Sequence, residues 1–423
     1  MRILHTADWH FGKTIEGRDR LPEQVAFVEE LCDICTAEQI DLVLVAGDVF
    51  QSPNPSAAAE ELFYYAMDKL ANNGKRGVVI VAGNHDNPER LCAAAPLAER
   101  LGITIVGLPQ EDLAPTLFIE GRVQRVSGGQ SWLELAVPGA MHTAVIAALP
   151  YPSEGRLKEV LSQSLEDKEL RQGYNDKLAS LFGLLNTKFR SDTVNLAVSH
   201  LYVRGGLESD SEQQIQIGGS YAVDPQVFPA NAQYIALGHL HRPQTVGKTS
   251  VPCRYAGSPL AYSFSELGYA KSVTLVDINP GRPAAISEIN VSAGKPLARW
   301  RATGGLAQVR EWVAAGRDKD AWIELEAEIN KALALDEIHE LRSLHSGFVV
   351  VRPVIKVLEE MGAKEHVRLN SLPLNELFIR FYKQQNGGLA PDEKLVELFL
   401  DISQSLITEE KSMEADGSGE EQA

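Results

Sequence analysis

The chain reads as an α/β protein with one polar site, and three observations predict it. Short β-rich runs alternate with stretches of helical periodicity through the first part of the chain. Polar motifs recur where those runs end: Asp8-Trp9-His10, Gly47-Asp48, Gly83-Asn84-His85-Asp86, Ser199-His200 and Gly238-His239-Leu240-His241-Arg242. Past a turn-rich Asn279-Pro-Gly-Arg-Pro283 the pattern shifts to a smaller unit without such motifs.

Element by element, Arg2–Thr6 reads as a strand, Pro22–Gln39 as a helix, Leu42–Ala46 as a strand, Ser56–Asn73 as a helix, Val78–Ala82 as a strand and Glu89–Arg100 as a helix. The runs RILHT, LVLVA and VVIVA are almost wholly apolar, as strands buried on both faces must be. Asp8, Asp48 and Asn84 each follow one of them; His200 follows VNLAVS and His239 follows YIALG. Sites in α/β sheets collect at such strand ends, so residues far apart in sequence can converge there. Two helical segments lie near Leu157–Arg171 and Asn175–Phe189, and strands near Val251–Ala256 and Val273–Ile278 close the first domain, residues 1–280.

Beyond it, strand-like Ala285–Val291, helix Leu306–Ala315, strand Trp322–Ala327, helix Asp336–Leu344 and strand Phe348–Val354 form a small α/β cap domain, 281–370. Two helices, Asn375–Gln385 and Pro391–Leu406, are expected within 371–407, split by Asn386-Gly-Gly388. Leu395, Leu398, Phe399, Ile402 and Leu406 give the second an apolar stripe, suited to folding back on the cap or docking a partner. The acidic tail 408–423 is expected to be disordered: residues 409–421 hold six acids against one lysine.

The motifs supply two aspartates, one asparagine and four histidines. Carboxylate, amide and imidazole donors together suit ions such as Mn²⁺, Fe²⁺ or Zn²⁺, whereas Ca²⁺ prefers oxygen alone. Two metals roughly 3.5–4 Å apart are a recurring device for phosphate-ester hydrolysis. One such motif means little, since polar residues after strands are common in turns. Five in series are another matter, because so many buried polar groups would be costly without ions. In Asp8-x-His10 and His239-x-His241, alternate positions of an extended backbone project two side chains to one side.

Other features weigh less. His5 precedes its strand end and reads as a core residue, and Trp9 as packing. Asp86 suits turn capping better than orienting His85. Cys32 and Cys35 fall on the apolar stripe of the first helix, and no second CxxC accompanies them. Gly247-Lys248-Thr249 lacks the leading glycine of a phosphate-binding loop, so ATP hydrolysis is not expected of this chain. Lys295, Arg299 and Arg301 read as ordinary solvated charges rather than DNA contacts. The 423 residues carry a net charge of −17, unfavourable for holding a polyanion unaided, so much of that affinity is expected from another subunit. No leader and no apolar run of about 18 residues is visible, and the expectation is a cytoplasmic protein, nucleoid-associated when acting on DNA.

MRILHTADWH, VAGDVF, VAGNHD, the Ser199-His200 pair and YIALGHLHRPQ together resemble the calcineurin-like metallophosphoesterase family. YAGSPLAYSFSELG at 255–268 is similar to a stretch of that family's DNA-nuclease branch, whose members act with a coiled-coil ATPase. The resemblance implies a β-sandwich flanked by helices. It implies that Asp8, His10, Asp48 and His241 hold one metal and Asp48, Asn84, His200 and His239 the other, with Asp48 bridging. It further implies two ions, Mn²⁺ foremost, water attacking phosphorus, and His85 as the catalytic histidine. The implied activities are 3′-to-5′ exonuclease action on duplex ends and endonuclease cutting of hairpins or single strands, in DNA repair, recombination and replication. A homodimer of the first domain is implied within a heterotetramer with the ATPase, through helices containing Phe63, Met67 and Leu70, residues that fit the monomer's own core equally well. One departure stands out: Gln51 occupies a position where archaeal and eukaryotic relatives place a second functional histidine. The rival readings are a phosphomonoesterase or small-molecule phosphodiesterase with the same site, and a non-catalytic scaffold.

Overall fold

The computed structural model describes residues 1–109, 111–153, 167–212, 222–329, 335–355, 373–385, 389–392 and 394–400. It divides into two compact units, Met1–Pro296 and Leu297–Ala423.

The first unit opens with strand β1 (Arg2–Thr6), helix α1 (Leu21–Ala37), strand β2 (Leu42–Ala46), helix α2 (Ala57–Ala71) and strand β3 (Gly77–Val81). These match the expected order closely. The N-terminal end expected for α2 is its cap, where the Ser56 side chain accepts from the Ala59 amide; at the other end the cap is Asn72, one residue before the expected Asn73, with a left-handed φ of 47°. The single helix expected over 89–100 is instead broken into α3 (Pro88–Leu91), α4 (Ala95–Ala98) and intervening 3₁₀ turns. Pro96 lacks the amide that a continuous helix would use, so the chain restarts there.

Strands β4 (Ile103–Val106), β5 (Gln124–Gly129), β6 (Trp132–Ala136) and β7 (Ala144–Leu149) follow, then helix α5 (Asp167–Asn186), which takes in the end of the first expected helical segment and most of the second. Strands β8 (Val194–His200), β9 (Tyr234–Gly238), β10 (Gln244–Thr245), β11 (Cys253–Tyr255), β12 (Ser272–Asp277) and β13 (Ala285–Asn290) complete the unit. One sheet runs β13-β12-β1-β2-β3-β4 and the other β10-β11-β9-β8-β7-β6-β5.

Alternation along each strand sorts side chains into layers. Leu42 and Leu44 join Leu135, Ile146, Leu196 and Tyr234 in a core shared by the two sheets. Val43 and Val45 face the other way, against Phe27 and Leu31 of α1 and Phe63 and Leu70 of α2. On the far side, Val145, Ala197 and Ile235 pack on Tyr174, Leu178 and Phe182 of α5. The result is the calcineurin-like β-sandwich with helices on both outer faces. His5 lies in the inner core, its ring nitrogens 2.9 Å from the Tyr234 hydroxyl and 3.1 Å from the Leu237 carbonyl, and burial lowers its pKa to about 3. Trp9 is wholly buried, with its indole N–H donating to Thr6 Oγ1.

The boundary expected near 280 moves. Asn279–Pro283 is a hairpin turn, because Ser272–Asp277 pairs antiparallel with Ala285–Asn290 in the first sheet. The following residues are pinned to α1: Ser292 and Ala293 amides donate to Glu30, and the Lys295 amide to Glu23. The second unit therefore starts with β14 (Leu297–Ala302), a strand missed in the sequence, and continues through α6 (Gly305–Ala314), β15 (Trp322–Ile329), α7 (Leu335–Leu344) and β16 (Phe348–Ile355). Its parallel sheet, β14-β15-β16, buries Trp300, Val309, Ile323, Leu325, Leu341 and Phe348. Helix α8 (Leu374–Gln385) and helical residues 394–400 pair through Phe378 and Phe399, whose rings stack 4.0 Å apart. The rest of the second terminal helix, most of Leu157–Arg171 and the tail 408–423 lie outside the described residues.

A chain ending at Pro296 is expected to melt cooperatively by circular dichroism. One ending at residue 280 loses β13 and its anchors on α1, and is expected to melt several degrees lower, with each kcal/mol lost lowering the midpoint by roughly 2–4 °C. Equal melting curves would refute the placement of this boundary.

Candidate metal centre

Strand ends bring the motifs together. Beyond β1 and β2 the ladder continues into the loops: Asp8 N–H donates to the Gly47 carbonyl, His10 N–H to the Asp48 carbonyl and Phe11 N–H to the Val49 carbonyl. The second sheet closes on them from the far side, where His239 N–H donates to both Asp8 carboxylate oxygens at 2.9 and 3.1 Å. Glycine makes this approach possible. A Cβ on Gly83 would overlap the Asp48 carboxylate and amide, and one on Gly238 would overlap the Ala46 carbonyl. Four of the predicted site residues hold left-handed backbone, Asp8 (φ 54°), His10 (48°), Asp48 (50°) and His239 (108°). Such conformations persist only where surrounding contacts impose them.

All seven predicted donors lie in one cluster. Candidate ligand atoms of Asp8, His10 and His241 lie within 4.8 Å of one another, as do those of Asp8, Asp48 and His200 and those of His10, Asp48 and His85. Asp48 Oδ2 stands between His10 Nε2 at 3.7 Å and His200 Nε2 at 3.5 Å. Asn84 Oδ1 lies 2.9 Å from His200 Nε2 and 3.3 Å from His239 Nδ1. Asp8, His10 and His200 are 0% exposed and Asp48 is 2% exposed, so water does not solvate these groups.

Proton counting shows that the residues fit divalent ions. His200 Nδ1 faces the Ala46 carbonyl at 2.8 Å while its Nε2 faces Asn84 Oδ1, so both nitrogens point at carbonyl oxygens. A neutral imidazole has one N–H and can satisfy one of them. His10 Nε2 and His241 Nε2 face each other at 3.0 Å, and His10 Nδ1 is buried without a hydrogen-bond partner. The cluster thus holds one orphaned imidazole nitrogen and one imidazole that needs a second proton, and a bound cation would satisfy both.

The electrostatics agree. Burial would lower the His200 pKa, but the Asp48 and Asp8 carboxylates outweigh it and raise it to about 9. Burial would raise Asp48, yet His200 and His10 hold it well below the usual carboxylate range. Asp8 is pushed up by burial, against the pull of His200 and with the help of Asp48. Burial lowers His10, His239 and His241, keeping them neutral and able to donate lone pairs.

His85 borders the cluster, its ring 4.9 Å from that of His10. Its Nδ1–H donates to the Gln51 carbonyl at 2.8 Å and its amide to Asp48 Oδ1 at 2.9 Å. Gln51 thus acts through its backbone. Asp86 is a turn cap, accepting from the amides of Gly83, Val49 and Phe50, and so ties the second motif to the third.

Several supporting residues lie outside every motif. Tyr262 donates to the Trp9 carbonyl at 2.5 Å and Gln24 to the His10 carbonyl at 3.0 Å, fixing the first motif from outside. Lys13, Ser211, Glu212, Glu266 and Lys271 line the His241 side. The only sequence signal for any of them is the 255–268 stretch, which folds over this edge. Arg299 and Arg301 pair with Glu324 and Glu326 of the neighbouring strand, the ordinary role expected of them. Among the described residues all four cysteines are free thiols. Burial pushes Cys32 up to about 11 and Cys35 and Cys92 to about 12.

Comparison with known proteins agrees with this geometry. Residues 1–243 match the model of the calcineurin-like phosphoesterases. The chain belongs to the calcineurin-like phosphoesterase family. Residues 294–386 match a second model, described as a type 5 capsule protein repressor C-terminal domain. A relative from Bacillus subtilis (strain 168), named as the D component of the SbcCD nuclease, is 46% identical over 97% of this chain and 100% of its own length. A Rhodobacter capsulatus protein of the same name is 37% identical over 72% of each chain. One from Escherichia coli (strain K12) is 27% identical over 97% of this chain and 100% of its own. Within the family, then, this calcineurin-like phosphoesterase groups with the SbcD proteins and is a metal-dependent phosphodiester hydrolase. No helix among the described residues is long and apolar enough to cross a membrane.

The His200 shift gives a pH test. In the metal-free protein, cationic His200 contributes stability that is fully present below pH 6.5 and is lost as pH rises through about 9. An ion at Nε2 must displace that proton, so apparent metal affinity is expected to rise by up to about tenfold per pH unit until about 9, then level off. Calorimetry in buffers of different ionisation enthalpy checks it; uptake without proton release would overturn it. Separately, Asp86→Ala strands three backbone amides and is expected to cost about 2–4 kcal/mol in denaturant unfolding.

Proposed function

We propose that this chain is the nuclease subunit of a DNA-processing complex, hydrolysing phosphodiester bonds with two divalent ions, Mn²⁺ foremost. The observation that carries this reading is the convergence of seven donors from five strand ends beside His85, in a chain similar end to end to a protein named as part of a nuclease. Asp8, His10, Asp48 and His241 would hold one ion, and Asp48, Asn84, His200 and His239 the other. Asp48 would serve both ions, since its Oδ2 faces His10 and His200 at once.

When bound, the ions supply Lewis acidity, offsetting charge on the phosphoryl oxygens and acidifying water. The chain's own contribution is placement. The Ala46 carbonyl holds His200 Nδ1–H and leaves Nε2 for a ligand role. The Gln51 carbonyl likewise holds His85 Nδ1–H, so when the ring carries a second proton its Nε2–H is the group that would contact a phosphate oxygen or protonate the leaving oxygen. Gln51 cannot itself exchange protons near neutral pH, so His85 carries the acid–base duty alone.

The substrate is read as duplex ends for 3′-to-5′ exonuclease action and hairpins or single strands for endonuclease action, in DNA repair, recombination and replication in the cytoplasm. The relatives are named as the D component of SbcCD, which supports a coiled-coil ATPase of the SbcC type as partner. Phe381 and Leu398 of the terminal helical pieces are exposed and offer the docking face. A basic partner surface would also compensate for the net charge of −17. For the homodimer, the residues expected from the sequence are unsuited: Phe63, Met67 and Leu70 are buried in this chain's own core. Tyr64 and Leu97 are exposed instead, beside an apolar cavity of about 480 Å³, and make the better contact.

Asp48→Ala is expected to lose metal and activity together, whereas His85→Asn keeps the metal and loses at least about 10²-fold in turnover on hairpin DNA with Mn²⁺, partner and ATP. Preference for a nucleoside monophosphate over the hairpin would favour the phosphomonoesterase alternative. Leu97→Glu is expected to shift a dimer to monomer in sedimentation velocity without lowering the melting temperature.

A further inference from the structure

Of the seven donors, His241 stands apart in how its ring is held. His200 leans on a backbone carbonyl, but His241 is gripped by side chains that no metal motif contains. Its Nδ1 lies 2.5 Å from Ser211 Oγ, which in turn lies 2.7 Å from Glu266 Oε1. Its own amide donates to Glu212 Oε1 at 2.7 Å, so neighbouring residues of one loop hold its ring and its main chain. On the opposite edge, Nε2 faces His10 Nε2 at 3.0 Å, within the cluster of Asp8, His10 and His241 ligand atoms.

We propose that Ser211 and Glu266 are positioning residues for His241: they hold its Nδ1–H tautomer and thereby aim the Nε2 lone pair at the ion shared with Asp8, His10 and Asp48. This rests on the ligand assignment above.

The direction of each hydrogen bond follows from counting hydrogens. Glu266, 1% exposed, already receives three donors besides Ser211: the Tyr262 amide at 3.0 Å, the Ser263 amide at 3.1 Å and the Lys271 ammonium. A carboxylate so surrounded accepts at both oxygens and has no proton to give. Ser211 has one hydroxyl hydrogen, and the carboxylate is the strongest acceptor it touches. Ser209, its other hydroxyl neighbour at 2.8 Å, donates its own hydrogen to Glu212 Oε2 at 2.7 Å. Ser211 Oγ therefore accepts, and the hydrogen it accepts is the one on His241 Nδ1. With Nδ1 occupied, Nε2 of a neutral ring is a bare lone pair.

Lys271 keeps the relay in place from behind, donating to Ser258 Oγ at 2.8 Å and to the His241 carbonyl at 3.0 Å. Lys13 closes the loop from the front through the Ser211 carbonyl at 3.0 Å. A group that merely filled space here would not need a carboxylate anchored by an ammonium and two amides. Outer partners of metal-bound histidines commonly change metal affinity by 10–100-fold.

The test uses the full chain, stripped of metal and titrated with Mn²⁺, followed by calorimetry and by electron paramagnetic resonance. The unaltered protein is expected to take up two ions per chain and give a spin-coupled spectrum. Ser211→Ala is expected to bind the second ion about 10–100-fold more weakly and to show the six-line pattern of an isolated ion, with the metal-free melting temperature unchanged. Ser211→Thr keeps the hydroxyl and is expected to restore both ions. Glu266→Gln can donate to Ser211 and release its hydrogen toward Nδ1, and is expected to weaken the same ion; should it fail to fold, the Ser211 pair carries the test. His241→Ala separates the ligand assignment from the positioning role. If it still binds two coupled ions, the ligand assignment fails; if it loses one while Ser211→Ala keeps both at full affinity, the positioning role alone is overturned.

Discussion

The crowding of polar donor groups into a largely buried cluster is the constraint on which this centre depends. Two buried carboxylates, four buried imidazoles and the half-buried Asn84 amide crowd the C-terminal ends of strands from both sheets. Without an ion, His200 needs a second proton to satisfy both the Ala46 carbonyl and Asn84, and His10 Nδ1 is left without a hydrogen-bond partner. Such an arrangement opposes folding locally, and the rest of the first unit has to offset it. The left-handed backbone at Asp8, His10, Asp48 and His239 imposes the same kind of cost in conformational terms.

The layered core is what makes that offset possible. Strands whose residues are buried on both faces give the first unit three apolar layers, and those layers fix the strand ends rigidly. Loops then need little length to carry their ligands, and their hydrogen bonds continue the strand ladder rather than compete with it. Glycine at Gly83 and Gly238 lets backbones approach where any side chain would collide. The motifs are thus packing statements as much as ligand statements.

Support for the centre comes in two kinds. Backbone carbonyls and amides hold His200, His85 and Asp8, and these follow once the strands are in place. Side chains hold the first motif and His241, through Tyr262, Gln24, Ser211 and Glu266. Arg20 and Glu23 extend this support outward: they pair with each other, Arg20 grips the Ala261 carbonyl, and Glu23 accepts the Lys295 amide just before the second unit begins. The segment leading to the second unit and the segment covering the candidate metal centre therefore share one buried ion pair.

The sequence by itself picked out the strands that end in candidate ligands, the helices α1 and α2, and the seven candidate donors. Each of these is written in local chemistry: β-branched runs, helical periodicity, and polar residues with glycine where a strand stops. Tertiary structure decided the rest. Asn279–Pro283 has the composition of a linker, yet it is a hairpin turn because β13 finds β12, a pairing invisible to local pattern. Phe63, Met67 and Leu70 form an apolar stripe whether they face a partner or their own core, and only packing chose the core. Ser211 is unremarkable in sequence and Glu266 shows only as part of the 255–268 stretch, and both matter because folding sets them around one imidazole nitrogen. Local signals report what a residue can do; the convergence of distant segments, driven by burial, selects which of them it does.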